Sequence, residues 1–339
     1  MQKRKIGNLE VSAIGMGCMG FTHAYGEGPE EKEAIALVHE SFDLGCNFFD
    51  TSQMYSYFKN EEFVGKALKN LPRDQVVISD KFWPSKLPGE DFPDDKLSEK
   101  GLRTTLEKSL KLLQTDYIDI YTEHQMASDS LEEVAYIMGK FIQEGKIRAW
   151  GLSSPTAEEI KTAHAVTPLA AVQSEYSIME RKWEQDVIPL YRELNIGFVA
   201  FSPMANGFLS GKYTPGAKYE GDDVRRFISR FDPKIMQANQ VVLNLIEKIA
   251  QEKGCTKAQV SLSFVLKGGE FIVPIPGMRS SDRVKENLGA VDFPLTDSEY
   301  KNLKEALSHK EALSHIEILG SRSGLDIKKL GTVPENVSV

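Results

Sequence analysis

The sequence predicts a (β/α)8 (TIM) barrel, an α/β fold in which eight parallel strands alternate with helices. Three observations carry that expectation. Eight short apolar or β-branched runs recur along the 339 residues, helical patterns fill the intervals between them, and no Pro-, Ser- or Gly-rich linker divides the chain. Strands joined by helices form parallel sheets with right-handed crossovers, and eight such units close into a barrel. An open doubly wound sheet is disfavoured, because no GxGxxG follows an early strand and the chain outruns one such domain. One domain is expected over 1–325, with a mobile tail over 326–339.

The strands are expected at 11–16, 47–51, 76–82, 117–123, 147–153, 170–176, 197–203 and 271–277. Helical patterns cover 31–44, 61–70, 98–113, 130–144, 156–166, 182–194, a pair at about 233–267, 281–289, and another helix from 297. Apolar spacing supports them, as with Leu102, Leu106, Leu110 and Leu113, or Val134, Ile137, Met138 and Phe141. Capping-box spacing marks four starts: Ser130 with Glu133, Thr156 with Glu159, Thr256 with Gln259, and Thr296 with Glu299. Ahead of the first unit, MQKRKIGNLEVSAIG contains a short polar strand, a Gly-Asn turn and a second strand. This reads as a β-hairpin capping the barrel bottom.

A net charge of −8, from 41 Lys+Arg against 49 Asp+Glu, argues against a nucleic-acid partner or an anionic-membrane surface. Neither a signal peptide nor an 18-residue apolar span is evident, so a soluble, intracellular, cytoplasmic protein is expected. Cys18, Cys46 and Cys255 are odd in number and lack metal-ligand spacing, so reduced, mostly buried thiols and no metal are expected.

Asp50, Tyr55, Lys81 and His124 each lie at or just past the C-terminal end of an expected strand, and in a parallel barrel those ends converge on one face. Their chemistry is complementary. Tyr55 is suited to donate a proton, Lys81 to lower its pKa, Asp50 to orient the lysine, and His124 to donate a hydrogen bond to a carbonyl oxygen. Tyr25, Tyr57, Phe82, Trp83, Gln125 and Met126 also follow strand ends and are expected to wall a substrate pocket. The long loops at 83–97 and 208–232 are expected on the same face, where such loops close over ligands.

The segments NFFDTSQMY, NEEFVGKAL, SDKF, SLKLLQTDYIDIYTEH, EGKIRAWGLS, VQSEYS, GFVAFSPMANGFLSGKY and IVPIPGMRSSDRVKENLGA together resemble the aldo-keto reductases over roughly residues 3 to 325. The similarity is to the branch of bacterial, plant and fungal reductases related to potassium-channel β-subunits. It implies hydride transfer from NADPH to an aldehyde or ketone, a small-molecule carbonyl substrate, with Tyr55 as general acid. It further implies that Ser153, Ser154 and Gln173 hold the nicotinamide carboxamide and that Phe201 stacks on the nicotinamide ring. Ser202, Met204, Gly207 and Leu209 would line the pyrophosphate, with Gly17, Cys18 and Met19 touching the cofactor from the first loop. Gly277, Arg279, Ser280, Arg283, Glu286 and Asn287 would surround the adenosine and its 2′-phosphate, a group whose geometry suits the arginine fork.

Two segments and two single residues depart from the family pattern. Phe201 replaces a common tyrosine, and SQMYSYFKN and EHQMASD vary beside the substrate pocket. Asp80 stands where the family usually carries threonine or serine, and alternation along the strand points it away from Lys81, into the sheet–helix layer.

Past residue 300 the hexapeptide KEALSH occurs at 304–309 and again at 310–315. Six residues advance a helix by about 600°, so the two copies cannot present one face, and the repeat reads as a local duplication with one peripheral copy. The sequence as a whole reads as an NADPH-dependent reductase of aldehydes or ketones. Two alternatives use the same site: an NADPH-sensing regulatory subunit with slow turnover, and a different barrel enzyme acting on a phosphorylated sugar. The sequence leaves the substrate, the physiological direction and the oligomeric state open.

Overall fold

The computed structural model describes residues 1–22, 24–85, 87, 96–126 and 131–306. Lys3–Ile6 (β1) and Leu9–Ser12 (β2) pair antiparallel with Ile6 opposite Leu9, and Gly7 makes the turn at φ +55°. This is the expected hairpin. The barrel strands follow as Met16–Gly17 (β3), Phe48–Asp50 (β4), Val77–Phe82 (β5), Ile118–Glu123 (β6), Ile147–Ser153 (β7), Ala171–Glu175 (β8), Gly197–Phe201 (β9) and Ile272–Pro274 (β10). These eight strands form one sheet in sequence order, every neighbouring pair parallel. The two ends of that order meet: Gly15 N donates to Pro274 O at 3.0 Å and Gly17 N to Pro276 O at 3.1 Å, which closes the ring.

Between the strands lie Glu31–Asp43 (α1), Lys59–Leu68 (α2), Glu99–Leu113 (α3), Leu131–Gln143 (α4), Ala157–Val166 (α5), Trp183–Asp186 (α6) and Ile188–Glu193 (α7). Pro233–Ala238 (α8), Gln240–Lys253 (α9), Lys257–Lys267 (α10), Ser281–Leu288 (α11) and Asp297–Glu305 (α12) complete them. Capping boxes at Thr156, Thr256 and Thr296 open α5, α10 and α12, and each satisfies two backbone donors that a helix start leaves unpaired. Ser98 caps α3. Ser130 and most of the 83–97 loop lie outside the described residues, as do the second KEALSH copy and the 326–339 tail.

Two expectations are corrected. The run 11–16 is not one strand: Val11 and Ser12 belong to the hairpin, and the barrel starts at Met16. Periodicity is the same for a hairpin strand and a barrel strand, so the pattern alone could not divide them. The helix expected over 182–194 is likewise two short helices, with Pro189 in the first turn of α7, where its missing N–H costs no hydrogen bond.

Phe48, Val77, Ile120, Ala149, Ala171, Val199, Val273 and Ile275 fill the barrel, and Ile6, Leu9 and Val11 of the hairpin join the same apolar cluster. The hairpin is therefore a plug. Glycine at 197 permits its close approach, since a Cβ there would lie 2.7 Å from Ile6 Cα. The larger cluster lies between sheet and helices. This division of inward and outward side chains sets what each strand presents at the mouth.

Candidate active site

Alternation along β5 turns Ser79 and Lys81 toward the barrel interior, and both reach the carboxylate at the end of β4. The Lys81 ammonium donates to Asp50 Oδ1 at 2.6 Å and to Thr51 O at 2.5 Å, while Ser79 Oγ and Gln173 Nε2 donate to Asp50 Oδ2 at 2.9 and 2.8 Å. Lysine and aspartate are buried together, which is tolerable only because each charge is paired and hydrogen-bonded. Burial lowers the pKa of the Lys81 ammonium, but Asp50, Tyr55 and Asp80 together outweigh it and hold the group above its ordinary range, at about 12. Lys81 thus remains a cation at every working pH.

That cation lies 4.9 Å from the centroid of the Tyr55 ring. Tyr55 also meets His124 edge to face, with centroids 5.7 Å apart, and Trp83 packs on the imidazole in the same manner at 5.5 Å. Ser52 Oγ lies 2.8 Å from His124 Nδ1 and orients the ring. All four residues expected to act together are therefore in one place at the mouth. The turn after Tyr55 is conformationally strained, with Ser56, Tyr57 and Phe58 successively at φ +50°, +48° and +72°. Such strain persists only where surroundings over-determine it. Here Ser56 Oγ donates to Thr22 O, and Asn60 Nδ2 donates to Cys18 O and Thr22 Oγ1, tying the turn and α2 to the first loop.

The pocket-wall expectations divide. Trp83 stands at His124, and Tyr57 and Met126 are half-buried near the mouth, whereas Gln125 is exposed. Phe82 is corrected: it is fully buried against Tyr121, with centroids 5.1 Å apart, in the sheet–helix layer. Its position next to inward-facing Lys81 forces it outward. Tyr25 packs toward the turn after β9, its hydroxyl accepting from Asn206 Nδ2 at 2.9 Å and its ring 5.5 Å from the Arg225 guanidinium.

The residues expected around a cofactor trace an arc from β7 to α11. Ser153 and Gln173 are buried register partners on β7 and β8, and Ser154 and Ser202 follow strand ends at φ +55° and +48°. Phe201 and Met204 are half-buried, and Leu209 is buried in the turn after β9. Gly207 sits at φ +91°, and a Cβ there would come 2.8 Å from the Tyr213 ring. In the first loop Gly17 and Met19 are half-buried, but the Cys18 side chain is buried in the sheet–helix core, and burial pushes its thiol far above the ordinary range. The Cys18 backbone is engaged as well, its N–H donating to Asp50 O at 2.9 Å and its carbonyl accepting from Asn60 Nδ2 at 3.0 Å.

At the last strand, Gly277 O accepts from Asn287 Nδ2 at 3.3 Å, Ser280 caps α11, and Glu286 pairs with Lys212 at 3.6 Å. The Arg279 guanidinium donates to Tyr25 O at 2.8 Å and to Glu27 O, so it fastens the first loop. Burial, together with the neighbouring guanidiniums of Arg283 and Arg225, lowers the pKa of Arg279. Arg225, which sequence reasoning passed over, is clamped to Asp223 and stacked on Tyr213 and Tyr219. Ser52, Ser79 and Asn60 were likewise missed. They are small polar residues within the quoted segments NFFDTSQMY, SDKF and NEEFVGKAL, and nothing in their side-chain chemistry alone marked them out.

Comparison with known proteins places this architecture. The family model described as "Aldo/keto reductase family" matches residues 13–308. The chain belongs to the aldo/keto reductase family. A soybean (Glycine max) protein described as probable aldo-keto reductase 1 is 36% identical over 312 residues, covering 91% of this chain and 89% of its own length. Among solved structures, the glycerol dehydrogenase of Gluconobacter oxydans superposes with a TM-score of 0.81 at 26% identity, over 90% of this chain and 94% of that one. An aldo-keto reductase from Klebsiella pneumoniae, solved in complex with NADPH, gives a TM-score of 0.71 at 27% identity, over 90% and 95%.

Proposed function

We propose that this aldo/keto reductase reduces aldehydes or ketones with NADPH, and that Tyr55 delivers the proton to the carbonyl oxygen. The observation that carries the reading is the buried Lys81 ammonium, held by Asp50 at 2.6 Å and standing 4.9 Å from the Tyr55 ring. A phenol donates poorly near its ordinary pKa of about 10, and an adjacent cation stabilises the phenolate left behind, making it a better acid. His124 completes the set: its Nδ1 faces the Ser52 hydroxyl at 2.8 Å, and in the tautomer where Nδ1 accepts from Ser52 the ring proton sits on Nε2, from which it can be donated to a carbonyl oxygen.

The chain also suits the cofactor. Asn206 Oδ1 is buried without a hydrogen-bond partner in the left-handed turn Ala205–Gly207, and the guanidiniums of Arg279, Arg283 and Arg225 crowd one end of the arc. An orphaned acceptor and clustered cations fit a ligand with donors and a phosphate. Ser153, Gln173, Phe201 and the 202–209 turn would hold the nicotinamide and pyrophosphate, and Arg283 the 2′-phosphate. NADPH, when bound there, supplies the hydride. The chain's own residues orient the carbonyl, exclude water and supply the proton.

The test is a panel of aldehydes, ketones and polyols assayed in both directions by NADPH absorbance. Alcohol oxidation belongs in it because the Gluconobacter neighbour is a glycerol dehydrogenase. No consumption or formation of NADPH with any member would refute the proposal.

A further inference from the structure

Behind Lys81, on the opposite face of β5, lies a second ionisable pair that the reductase chemistry leaves unused. Asp80 points outward from β5 into the layer beneath α2 and α3, where it meets Glu61 of α2. Both side chains are fully buried, and none of their four carboxyl oxygens has a hydrogen-bond partner of ordinary geometry, although the Lys81 amide lies near Asp80 and the Ser109 hydroxyl near Glu61. A buried carboxylate without a donor is strongly disfavoured, and two in contact more so. A proton held between them would supply the missing donor. Burial together with Asp80 pushes the Glu61 carboxyl well above the carboxylate range, whereas the nearby Lys81 amide, the Lys81 ammonium and Glu61 itself limit burial's effect on Asp80, which rises to about 6. Glu61 is the acid of the pair, Asp80 the anion at neutral pH.

The surroundings act on the two carboxyls unequally. From α3, Lys108, 3.5 Å from the Phe58 ring, and the Ser109 hydroxyl, which accepts from Gln53, both favour the ionised form of Glu61 and partly offset its burial. From β6 comes the Tyr121 phenol, which burial and the two carboxyls push well above its ordinary range. Across the sheet stand Asp50 and Lys81, already paired. Asp50 and Lys81 cancel, so the charge left on the Lys81 side of the pair is that of Asp80, while Lys108 acts at the Glu61 end.

Building on the reductase reading, we propose that Asp80 and Glu61 share one proton across the β5–α2 contact, and that the anion retained on Asp80 tunes the proton donor Tyr55 through Lys81. Asp80 is thus a positioning residue, acting from outside the pocket. An anion near a phenol opposes its ionisation, so the pair restrains Tyr55 from becoming phenolate and keeps the proton available for reduction at neutral pH.

The test reads Tyr55 without any substrate. Near-ultraviolet difference titration of each protein against its Tyr55→Phe counterpart isolates this one phenol. Asp80→Asn and Asp80→Thr should each shift its titration to lower pH by about half a unit to one unit, the size expected for removing one charge from the protein interior nearby. Glu61→Gln should leave it in place, because an amide can donate to Asp80 and keep the anion. Threonine, the smaller substitute, serves where the Asp80→Asn variant fails to fold. The proposal is overturned by a Tyr55 titration identical in wild type and the Asp80 variants, or by a shift in Glu61→Gln equal to theirs. Lack of carbonyl reduction would overturn the reductase reading alone, since the titration does not depend on it.

Discussion

Tyr55 and Lys81 have different consequences when altered, although both concern one proton. Tyr55→Phe removes the proposed donor and leaves the arc from Ser153 to Asn287 intact. Turnover should fall by at least about a hundredfold, the low end for general acid catalysis, with NADPH affinity nearly unchanged in a fluorescence titration. Wild-type turnover in that variant would exclude the assignment. Lys81→Met should lose turnover similarly, but it also leaves the Asp50 carboxylate buried without its cation at 2.6 Å. Breaking a buried pair costs about 3–5 kcal/mol, so this variant alone should also melt markedly lower. The two phenotypes separate chemistry from structure at neighbouring side chains.

At the scale of elements, the β5–α2 contact and the hairpin make opposite predictions. The Asp80 carboxyl is pushed up to about 6 in the folded chain from an ordinary 3.8, so between those values the folded state binds the proton more tightly than the unfolded state. Stability therefore falls as pH rises from about 4 to about 6, and the deficit persists above. Asp80→Asn should raise the melting temperature at pH 8 and lose that advantage as pH approaches 4; an advantage independent of pH would contradict it. The hairpin instead stabilises through fit. Ile6 is fully buried in the barrel base, so Ile6→Ala should cost about 2–5 kcal/mol in denaturant unfolding, and Gly197→Ala should destabilise by collision with Ile6. The parallel strands after the first, the hairpin turn and three capping boxes were legible in the sequence because each has a local signature. So was Asp80's outward direction, which follows from period two. The same rule, applied to Phe82, would have removed it from the pocket wall, and its aromatic character obscured that. Ser52 and Ser79 were illegible because their importance lies in what they touch across the sheet.

Across the whole molecule, eight strand ends, a first loop and the long turn after β9 converge on one face, and the loops are fastened to each other around Tyr25. Asp222 accepts from Ala24 N and Gly26 N at 2.9 and 3.1 Å, and Arg279 donates to Tyr25 O and Glu27 O. Among the described residues no helix is long and apolar enough to cross a membrane. The fastening changes what cofactor discrimination should look like. NADPH differs from NADH by the 2′-phosphate alone, so a residue acting only there affects one cofactor and not the other. Arg283, beyond its backbone contact to the Ser280 cap, is the candidate for that role. A charge-assisted hydrogen bond contributes roughly 1.5–3 kcal/mol, so Arg283→Ala should weaken NADPH by about ten- to a hundredfold and leave NADH nearly unchanged. Arg279→Ala removes the same positive charge but also releases the first loop, so it should weaken both cofactors, NADPH more. Added salt should reduce NADPH binding more than NADH binding, because the extra phosphate interaction is screened. Fluorescence titration of both cofactors against the two variants decides it: equal losses of NADPH and NADH in Arg283→Ala, or a wild type that prefers NADH, would remove Arg283 from the phosphate site.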